Sequence, residues 1–313
     1  MDKVASKIKG NLKEFKHEDF QDFQDLSNIS DELSDIKHAY LKTNEYDLHA
    51  FIKFLKEYEE DEYYNKFIRE IENLRNIGVN ENVIKFLGVT KDPYKNFYSL
   101  VLQCCGNKNL SDHLKEVQKI GWLDKIKIGK DIANGLAYIH VENIILRNLS
   151  SKNIINDNGK FVITDFNSAV SLESLEELTT IKITEKNVAY MDPKIFNRAD
   201  TVNKSSDIYS LGVILWEISS GRPPFSNNQL NIEEFMRTLE LGKRELPINL
   251  TPVDYKDLYC DAWNKDHHKR PPIKEVISCL KDVELDLEYH VYQDYDYIPK
   301  ISYERNDSIP NKE

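Results

Sequence analysis

Hydrophobic positions in the first hundred residues alternate between strand-like and helix-like spacing. The apolar runs 49–55, 83–87 and 97–102 predict three strands. Residues 63–77 predict an amphipathic helix, whose apolar positions are Phe67, Ile71, Leu74 and Ile77. We therefore expect this part of the chain to form a small sheet against which one helix packs.

From residue 106 onward, the spacing of apolar positions favours helices. The predicted helices are, in order, 110–117, 122–140, 206–219 and two short helices within 254–283. Ser111 is the expected N-cap of the first of these helices. Gly221 and the prolines that follow it are expected to end the helix over 206–219. This second part of the chain therefore reads as a mainly helical unit.

The sharpest local signal is a hairpin over residues 154–163. Two β-rich runs flank Asn158-Gly159, the residue pair that the type I′ turn of a two-residue hairpin favours. The hairpin therefore fixes a point around which neighbouring motifs can be placed.

These patterns divide the chain into three parts. Residues 1–22 are polar and weakly patterned, and we interpret them as an N-terminal arm or an irregular first element. Residues 23–283 form one predicted domain, with a strand-rich lobe at about 23–103 and a helical lobe at about 106–283. Residues 284–313 are acidic and rich in tyrosine, so we expect a solvated tail.

Composition limits the possible partners and the compartment. The chain has 42 basic and 53 acidic residues and a net charge of −11, which disfavours binding to nucleic acid or to an anionic membrane. Its start lacks an apolar signal region, and no run approaches the ~20 apolar residues that cross a bilayer. The cysteines show no C-x-x-C spacing and are Cys104, Cys105, Cys260 and Cys279. We therefore expect a cytoplasmic protein with no membrane partner.

Glycine is scarce where a phosphate-binding loop would need it. The chain has 11 glycines, and none lies between Gly10 and Gly78. A glycine-rich loop is therefore excluded from this interval.

Motifs on both sides of the hairpin point to a family. Leu146-Arg-Asn-Leu-Ser-Ser-Lys-Asn153 precedes the hairpin, and Thr164-Asp-Phe-Asn167 follows it. With these motifs and with the segments 189–194, 206–217 and 269–271, the chain resembles the eukaryotic protein kinases, in their tyrosine-kinase-like branch. The resemblance covers about residues 23–283. It implies an α+β bilobal fold with a β-rich N-lobe and a mainly helical C-lobe.

The resemblance also implies a site for ATP and Mg²⁺. Lys53 corresponds to the lysine that reaches the α- and β-phosphates, and Glu70 to its ion-pair partner. Asp165 and Asn153 correspond to the metal ligands, although a turn-capping role for Asp165 remains equally open. The other implied cofactor contacts are Ile36, Phe51, Leu102, Gln103, Cys104 and Ile155.

Three departures affect phosphoryl transfer. Asn148 follows Arg147 at the position of the catalytic aspartate, and a neutral amide cannot accept the proton of the acceptor hydroxyl. General-base help contributes roughly 10²–10⁴-fold to a rate. Every expected glycine of the phosphate loop is missing over residues 29–36. Phe51 replaces a small alanine in the roof of the adenine pocket, so its ring is expected to occupy the space of the base.

Two further departures concern the C-lobe. Asn167 replaces the glycine of the D-F-G motif, and Lys194 replaces the glutamate of A-P-E. Because that glutamate is the usual partner of Arg270, we expect the ion pair to be lost and a like charge to face the arginine. Asp207 is expected to brace the catalytic-loop backbone through hydrogen bonds.

Together, these departures favour a protein kinase-like domain that is catalytically impaired. We interpret the chain as a pseudokinase that acts as a scaffold or allosteric partner of other signalling proteins, with weak or no binding of ATP and Mg²⁺. The alternative is a slow ATP-dependent Ser/Thr or Tyr protein kinase. It would retain Mg·ATP through Lys53, Asp165 and Asn153 and transfer the γ-phosphate to protein hydroxyls.

Overall fold

A computed structural model defines most of the predicted domain. It describes residues 12–26, 34–42, 47–55, 60–92, 98–103, 106–117, 120–172, 183–196, 203–226 and 230–285. The predictions for Cys104, for positions 29–33 of the phosphate loop and for the tail beyond residue 285 lie outside the described residues.

The N-lobe is built on a six-stranded sheet. Its strands are β1 Glu14–Phe15, β2 Phe20–Asp25, β3 Ser34–Lys42, β4 Asp47–Leu55, β5 Lys85–Lys91 and β6 Tyr98–Gln103. The strand order is β1-β5-β6-β4-β3-β2, with β1 parallel to β5 and the other neighbours antiparallel. Helix α1, Glu60–Ile77, buries the apolar face predicted from its spacing, so the predicted helix is confirmed. The three predicted strands correspond to β4, β5 and β6, whereas β3 was not predicted.

The prediction of an arm that extends to residue 22 was wrong. Phe15 and Phe20 are buried in a small cluster on the sheet, and their rings meet edge to face with centroids 6.2 Å apart. Strands β1 and β2 extend the sheet at its two edges, at residues 14–15 and 20–25. The sequence did not indicate these strands, because β2 exposes most of its side chains and therefore has no clear hydrophobic pattern.

The C-lobe is mainly helical. Its helices are α2 Leu110–Glu116, α3 Trp122–Val141, α4 Lys204–Ser220, α5 Ile232–Glu240, α6 Val253–Ala262 and α7 Ile273–Asp282. Its short strands are β7 Lys108–Asn109, β8 Ile144–Ile145, β9 Ile154–Asp157, β10 Lys160–Ile163 and β11 Val170–Ser171. None of the helices in the described part of the chain is both long enough and apolar enough to cross a membrane.

The predicted hairpin is confirmed, and it joins the two lobes. Strands β9 and β10 are antiparallel, and Asn158 and Gly159 both have positive φ angles, of 53° and 84°, as a type I′ turn requires. Ile163 accepts a hydrogen bond from Ile84 N at 2.9 Å, and its own N–H donates to Asn82 O at 2.9 Å. These two hydrogen bonds therefore connect the hairpin to residues 82–84, which directly precede β5 of the N-lobe.

The N-cap of helix α2 lies two residues earlier than expected. Asn109 is the N-cap, and its side chain accepts a hydrogen bond from Asp112 N. Ser111, the predicted cap, is buried inside the first turn of the helix. Asparagine and serine are both favourable N-cap residues, so residue type did not distinguish Asn109 from Ser111.

The expected loss of the Arg270 ion pair was wrong. Arg270 contacts Asp192 with both terminal nitrogens, at 2.6 and 3.0 Å, and both side chains are fully buried. Lys194 instead places its Nζ 2.6 Å from His267 Nδ1. A carboxylate two residues before position 194 has therefore taken over the role of the missing glutamate.

We expect Asp192→Asn to lower the free energy of unfolding by about 3–5 kcal/mol, because it leaves the Arg270 charge buried without a carboxylate. Urea denaturation measures this loss. Adding Lys194→Glu to Asp192→Asn should recover part of it, because the second change returns a carboxylate near Arg270. The exposed Glu185→Gln is the control, and an equal effect of Asp192→Asn and the control would refute the assignment.

Candidate functional site

A small cavity lies between the lobes, under strands β3 and β4. It is lined by Ile36, Phe51, Lys53, Ile84, Leu102, Lys152, Asn153, Ile155, Thr164 and Asp165. The structure therefore brings together most of the predicted cofactor contacts and both predicted metal ligands. Gln103 is different: it pairs with Ala50 at the end of β6 and is not among the lining residues.

Three lining residues were not predicted from the sequence. Ile84 lies in a run that was predicted as a strand, and Thr164 directly precedes Asp165. Lys152 is part of the catalytic-loop motif. Their positions beside recognised motifs were the available signal, but the sequence did not show which way each side chain points.

Lys53 is the centre of charge in this cleft. Its Nζ lies 2.7 Å from Glu70 Oε1 and 2.9 Å from Asp165 Oδ1. Strand β4 presents the lysine and α1 presents the glutamate, and both side chains are buried. Burial raises the pKa of Glu70, although the Lys53 ammonium opposes that rise. The predicted ion pair is thus present, and it includes a second carboxylate.

Two amides approach the other oxygen of Asp165. Asn153 Nδ2 lies 3.3 Å and Asn148 Nδ2 3.4 Å from Asp165 Oδ2. Asn153 also donates to the backbone oxygen of Asn148 at 2.8 Å. Asp165 itself has a φ of +60°, an uncommon conformation for a residue other than glycine. Its carboxylate is therefore surrounded by donors.

Asn148 is held by both ends of its side-chain amide. While Nδ2 donates to Asp165, Oδ1 accepts from Asn187 Nδ2 at 3.3 Å. An aspartate in this position and geometry would place one carboxylate against another, which raises the energy of the ionised pair. The amide fits the charge of this site but cannot act as a base.

The catalytic-loop backbone is braced as predicted. Asp207 accepts hydrogen bonds from the backbone N–H groups of Leu146 and Arg147, each at 2.9 Å. His140 Nε2 lies 2.9 Å from the same carboxylate. Arg147, with a φ of +66°, is buried, and burial together with Arg69 lowers its pKa to about 10. These contacts of Asp207 hold the backbone of the catalytic loop at Leu146 and Arg147.

The cavity that the described residues form between the lobes is too small for a nucleotide base. It measures about 20 Å³, close to the space that one water molecule needs. Phe51 is 1% exposed and belongs to the main core together with Leu102. The ring of His38 packs edge-on against Phe51, with centroids 6.4 Å apart. The residues present do not fit adenine.

The metal positions are a separate matter. Asp165 offers carboxylate oxygens and Asn153 an amide oxygen, and both are ligands that Mg²⁺ accepts. These two residues would hold the ion, which would supply charge neutralisation for a phosphate group.

A second and larger opening lies on the C-lobe, and we call it the C-lobe groove. Its volume is about 540 Å³, and it is lined by Ser111, Lys115, Lys152, Glu185, Lys186, Ala189, Tyr190, Pro223, Pro224, Phe225, Ser226, Leu230, Ile232 and Phe235. Phe225 and Phe235 meet edge to face, 4.8 Å apart. Phe225 has a φ of +52°, which is strained for a bulky residue. The groove thus has an aromatic wall.

A buried carboxylate lies beneath the C-lobe groove. Glu217 on α4 accepts hydrogen bonds from Tyr190 Oη at 2.8 Å and from Ser151 Oγ at 3.0 Å. Burial raises its pKa to about 7, although both hydrogen bonds favour the ionised form. Glu217 therefore ties the catalytic loop to the segment that carries Tyr190.

Comparison with known sequences gives one consistent result. The sequence model of the protein tyrosine and serine/threonine kinase family matches residues 30–280. A probable LRR receptor-like serine/threonine-protein kinase of Arabidopsis thaliana is 28% identical over 240 residues, which are 69% of this chain and 25% of that protein.

Two animal proteins give similar values. The serine/threonine-protein kinase TNNI3K of Rattus norvegicus is 29% identical over 247 residues, covering 74% of this chain and 29% of that protein. Mitogen-activated protein kinase kinase kinase 13-A of Xenopus laevis is 27% identical over 242 residues, covering 75% of this chain and 24% of that protein. The chain thus spans less than a third of the length of these relatives.

We expect Glu217→Gln to flatten the pH dependence of stability. In the native protein, the raised pKa lets the folded state keep a proton that the unfolded chain has lost. The free energy of unfolding therefore falls as pH rises from the ordinary value of 4.5 to about 7. Urea denaturation between these pH values measures the slope. The exposed Glu275→Gln is the control, and parallel curves for Glu217→Gln and the unaltered chain would contradict the expectation.

Proposed function

The chain belongs to the protein tyrosine and serine/threonine kinase family, and we propose that within the tyrosine-kinase-like branch it is a cytoplasmic pseudokinase that binds signalling proteins. The observation that carries this proposal is the burial of Phe51 beside a cavity of about 20 Å³ in the described part of the cleft. Without a bound nucleotide there is no γ-phosphate to transfer.

The amide at position 148 supports the same conclusion independently. The family's base takes a proton from the acceptor hydroxyl. Asn148 has no basic oxygen for this task, and its amide is already engaged by Asp165 and Asn187. Widening the cleft alone would therefore not restore a normal rate.

The charged residues of the cleft support the proposed scaffold function, because they contact one another. Lys53 connects β4, α1 and the turn at Asp165 through contacts that need no ligand. These contacts connect the two lobes through protein groups. A fixed arrangement is what a partner can recognise with little cost in ordering.

The C-lobe groove supports the proposed binding of a protein partner. Among its lining residues, three lysines oppose one glutamate, in a chain whose net charge is −11. Lys186 and Lys115 both lower the pKa of Lys152, after the larger effect of burial, because their positive charges lie near it. We infer that the partner offers an acidic segment with apolar residues for the aromatic wall.

A second candidate function is the slow protein kinase. Lys53, Glu70, Asp165 and Asn153 are assembled in one place, which favours this function. Positioning and metal ions supply much of the rate of phosphoryl transfer. This candidate requires Phe51 to leave the cleft when a nucleotide enters.

We expect ATP with Mg²⁺ to leave the melting temperature of the unaltered chain unchanged and to stabilise Phe51→Ala, because the smaller side chain opens the cleft. At 100 times its Kd, a ligand adds about 2.7 kcal/mol to the free energy of unfolding. Thermal denaturation with and without nucleotide measures both effects.

Phe161→Ala is the matched control for this experiment, because it removes a buried phenyl ring away from the cleft. It should be destabilised without any response to ATP. A large metal-dependent shift in the unaltered chain would reject the pseudokinase proposal and favour the slow kinase. A folded Phe51→Ala without a shift would show that the ring is not the barrier.

We expect the C-lobe groove to bind a fluorescent peptide of alternating glutamate and leucine, and Lys115→Gln with Lys186→Gln to weaken that binding about tenfold or more. The two changes remove lysines that face the groove, and tenfold corresponds to about 1.4 kcal/mol. Fluorescence anisotropy measures the affinity.

Lys274→Gln with Lys281→Gln changes the net charge equally on the exposed side of α7 and is the control. The same peptide with glutamine in place of glutamate tests the role of charge. Equal weakening by both pairs of changes, or equal binding of both peptides, would reject the acidic partner. Such a result would leave the proposed loss of nucleotide binding untouched.

A further inference from the structure

Another groove runs along the surface of α3, and we call it the α3 groove. It is lined by Leu123, Ile126, Lys127, Lys130, Asp131, Asn134, Val283 and Leu285, and its volume is about 580 Å³. Leu123 is 60% exposed there, on the first turn of the helix. A groove of this size with an exposed leucine can accept further apolar side chains.

The described chain ends inside this groove. Helix α7 stops at Asp282, and Val283 continues with φ −56° and ψ 112°, outside the helical region. Val283 and Leu285 are both partly buried against the main core. The next residue, Asp286, therefore starts beside the part of the groove that these two side chains leave open.

The sequence continues the pattern that these two residues begin. Apolar residues occupy every second position, at Val283, Leu285, Leu287, Tyr289 and Val291. The positions between them are Glu284, Asp286, Glu288 and His290. In an extended chain, this alternation places the apolar side chains on one side and the acidic ones on the other.

The charges at the groove match those of the segment. Lys127 and Lys130 line the groove, and Asp131 is its one acidic lining residue. Between residues 284 and 297 the chain has five carboxylates and no lysine or arginine. The rim of the groove thus attracts the polar side of the segment while its floor accepts the apolar side.

We propose that residues 286–291 of this chain dock in the α3 groove in an extended conformation, with Leu287 and Tyr289 covering Leu123. The segment thereby forms a strap that extends the packing of Val283 and Leu285 along α3. This inference is independent of nucleotide binding and of the C-lobe groove. It differs from the expectation of a solvated, at most partly ordered tail after residue 283.

The test is limited digestion of the full chain with chymotrypsin, which cleaves after leucine and tyrosine. Mass spectrometry follows cleavage after Leu287, Tyr289 and Tyr292. We expect slow cleavage in the unaltered chain and cleavage several times faster in Leu123→Asp, which puts a carboxylate on the floor of the groove. The change should not prevent folding, because the side chain is exposed and acidic residues are favourable in the first turn of a helix.

Leu241→Asp is the matched control, because Leu241 is 66% exposed at the end of α5 and lies outside the α3 groove. It should leave the cleavage rate unchanged. Lys130→Glu should increase the rate as Leu123→Asp does, since it repels the acidic side of the segment. Equal rates in the unaltered chain and Leu123→Asp would overturn the proposal. Protection that disappears on dilution would also overturn it, by assigning the groove to the tail of a second copy.

Discussion

The arrangement of the two lobes depends on one buried ammonium group held between two carboxylates. Lys53 is 2% exposed, and its desolvation is costly unless both carboxylates stay within hydrogen-bond distance. Glu70 belongs to α1 and Asp165 to the C-lobe, so the charge of one side chain fixes the position of a helix and of the opposite lobe. The contact that a nucleotide phosphate would make with this lysine is here made by Asp165.

The filled cavity and the neutral amide act on different requirements of phosphoryl transfer. Under the proposed function, Phe51 would exclude the base from the cleft by volume, and Asn148 would leave the acceptor hydroxyl without a proton acceptor. The same two residues stabilise the cleft without a ligand, because the phenyl ring joins the core and the amide donates toward Asp165. Under the proposed function, the features that would oppose catalysis also stabilise the ligand-free protein.

The sequence predicted the features that depend on local spacing or on motifs. The sequence alone indicated three of these features: the hairpin at Asn158-Gly159, the apolar face of α1, and the pairing of Lys53 with Glu70. The Asp192–Arg270 pair was not recognisable, because its members are 78 residues apart in the sequence. The spacing does not show whether Asp192 or Lys194 faces the arginine. Strands β1 and β2 were missed because an edge strand that exposes polar side chains carries little hydrophobic signal. Strand β3 and helix α5 were missed because five of the nine residues of each are polar or charged.

At positions 148 and 194, the chain lacks a carboxylate that the family's motifs have. The two losses have opposite consequences. The glutamate lost at position 194 is compensated by Asp192, since a buried arginine without a partner would destabilise the fold. The aspartate lost at position 148 has no such replacement: the described carboxylate that contacts Asn148 is Asp165, which Lys53 already engages. The chain thus retains a carboxylate that pairs with Arg270, at position 192 instead of 194. It has no carboxylate at position 148, where the family's base takes up a proton. The chain therefore retains the buried ion pair that stabilises the C-lobe, and the loss that we propose concerns the chemistry of the cleft.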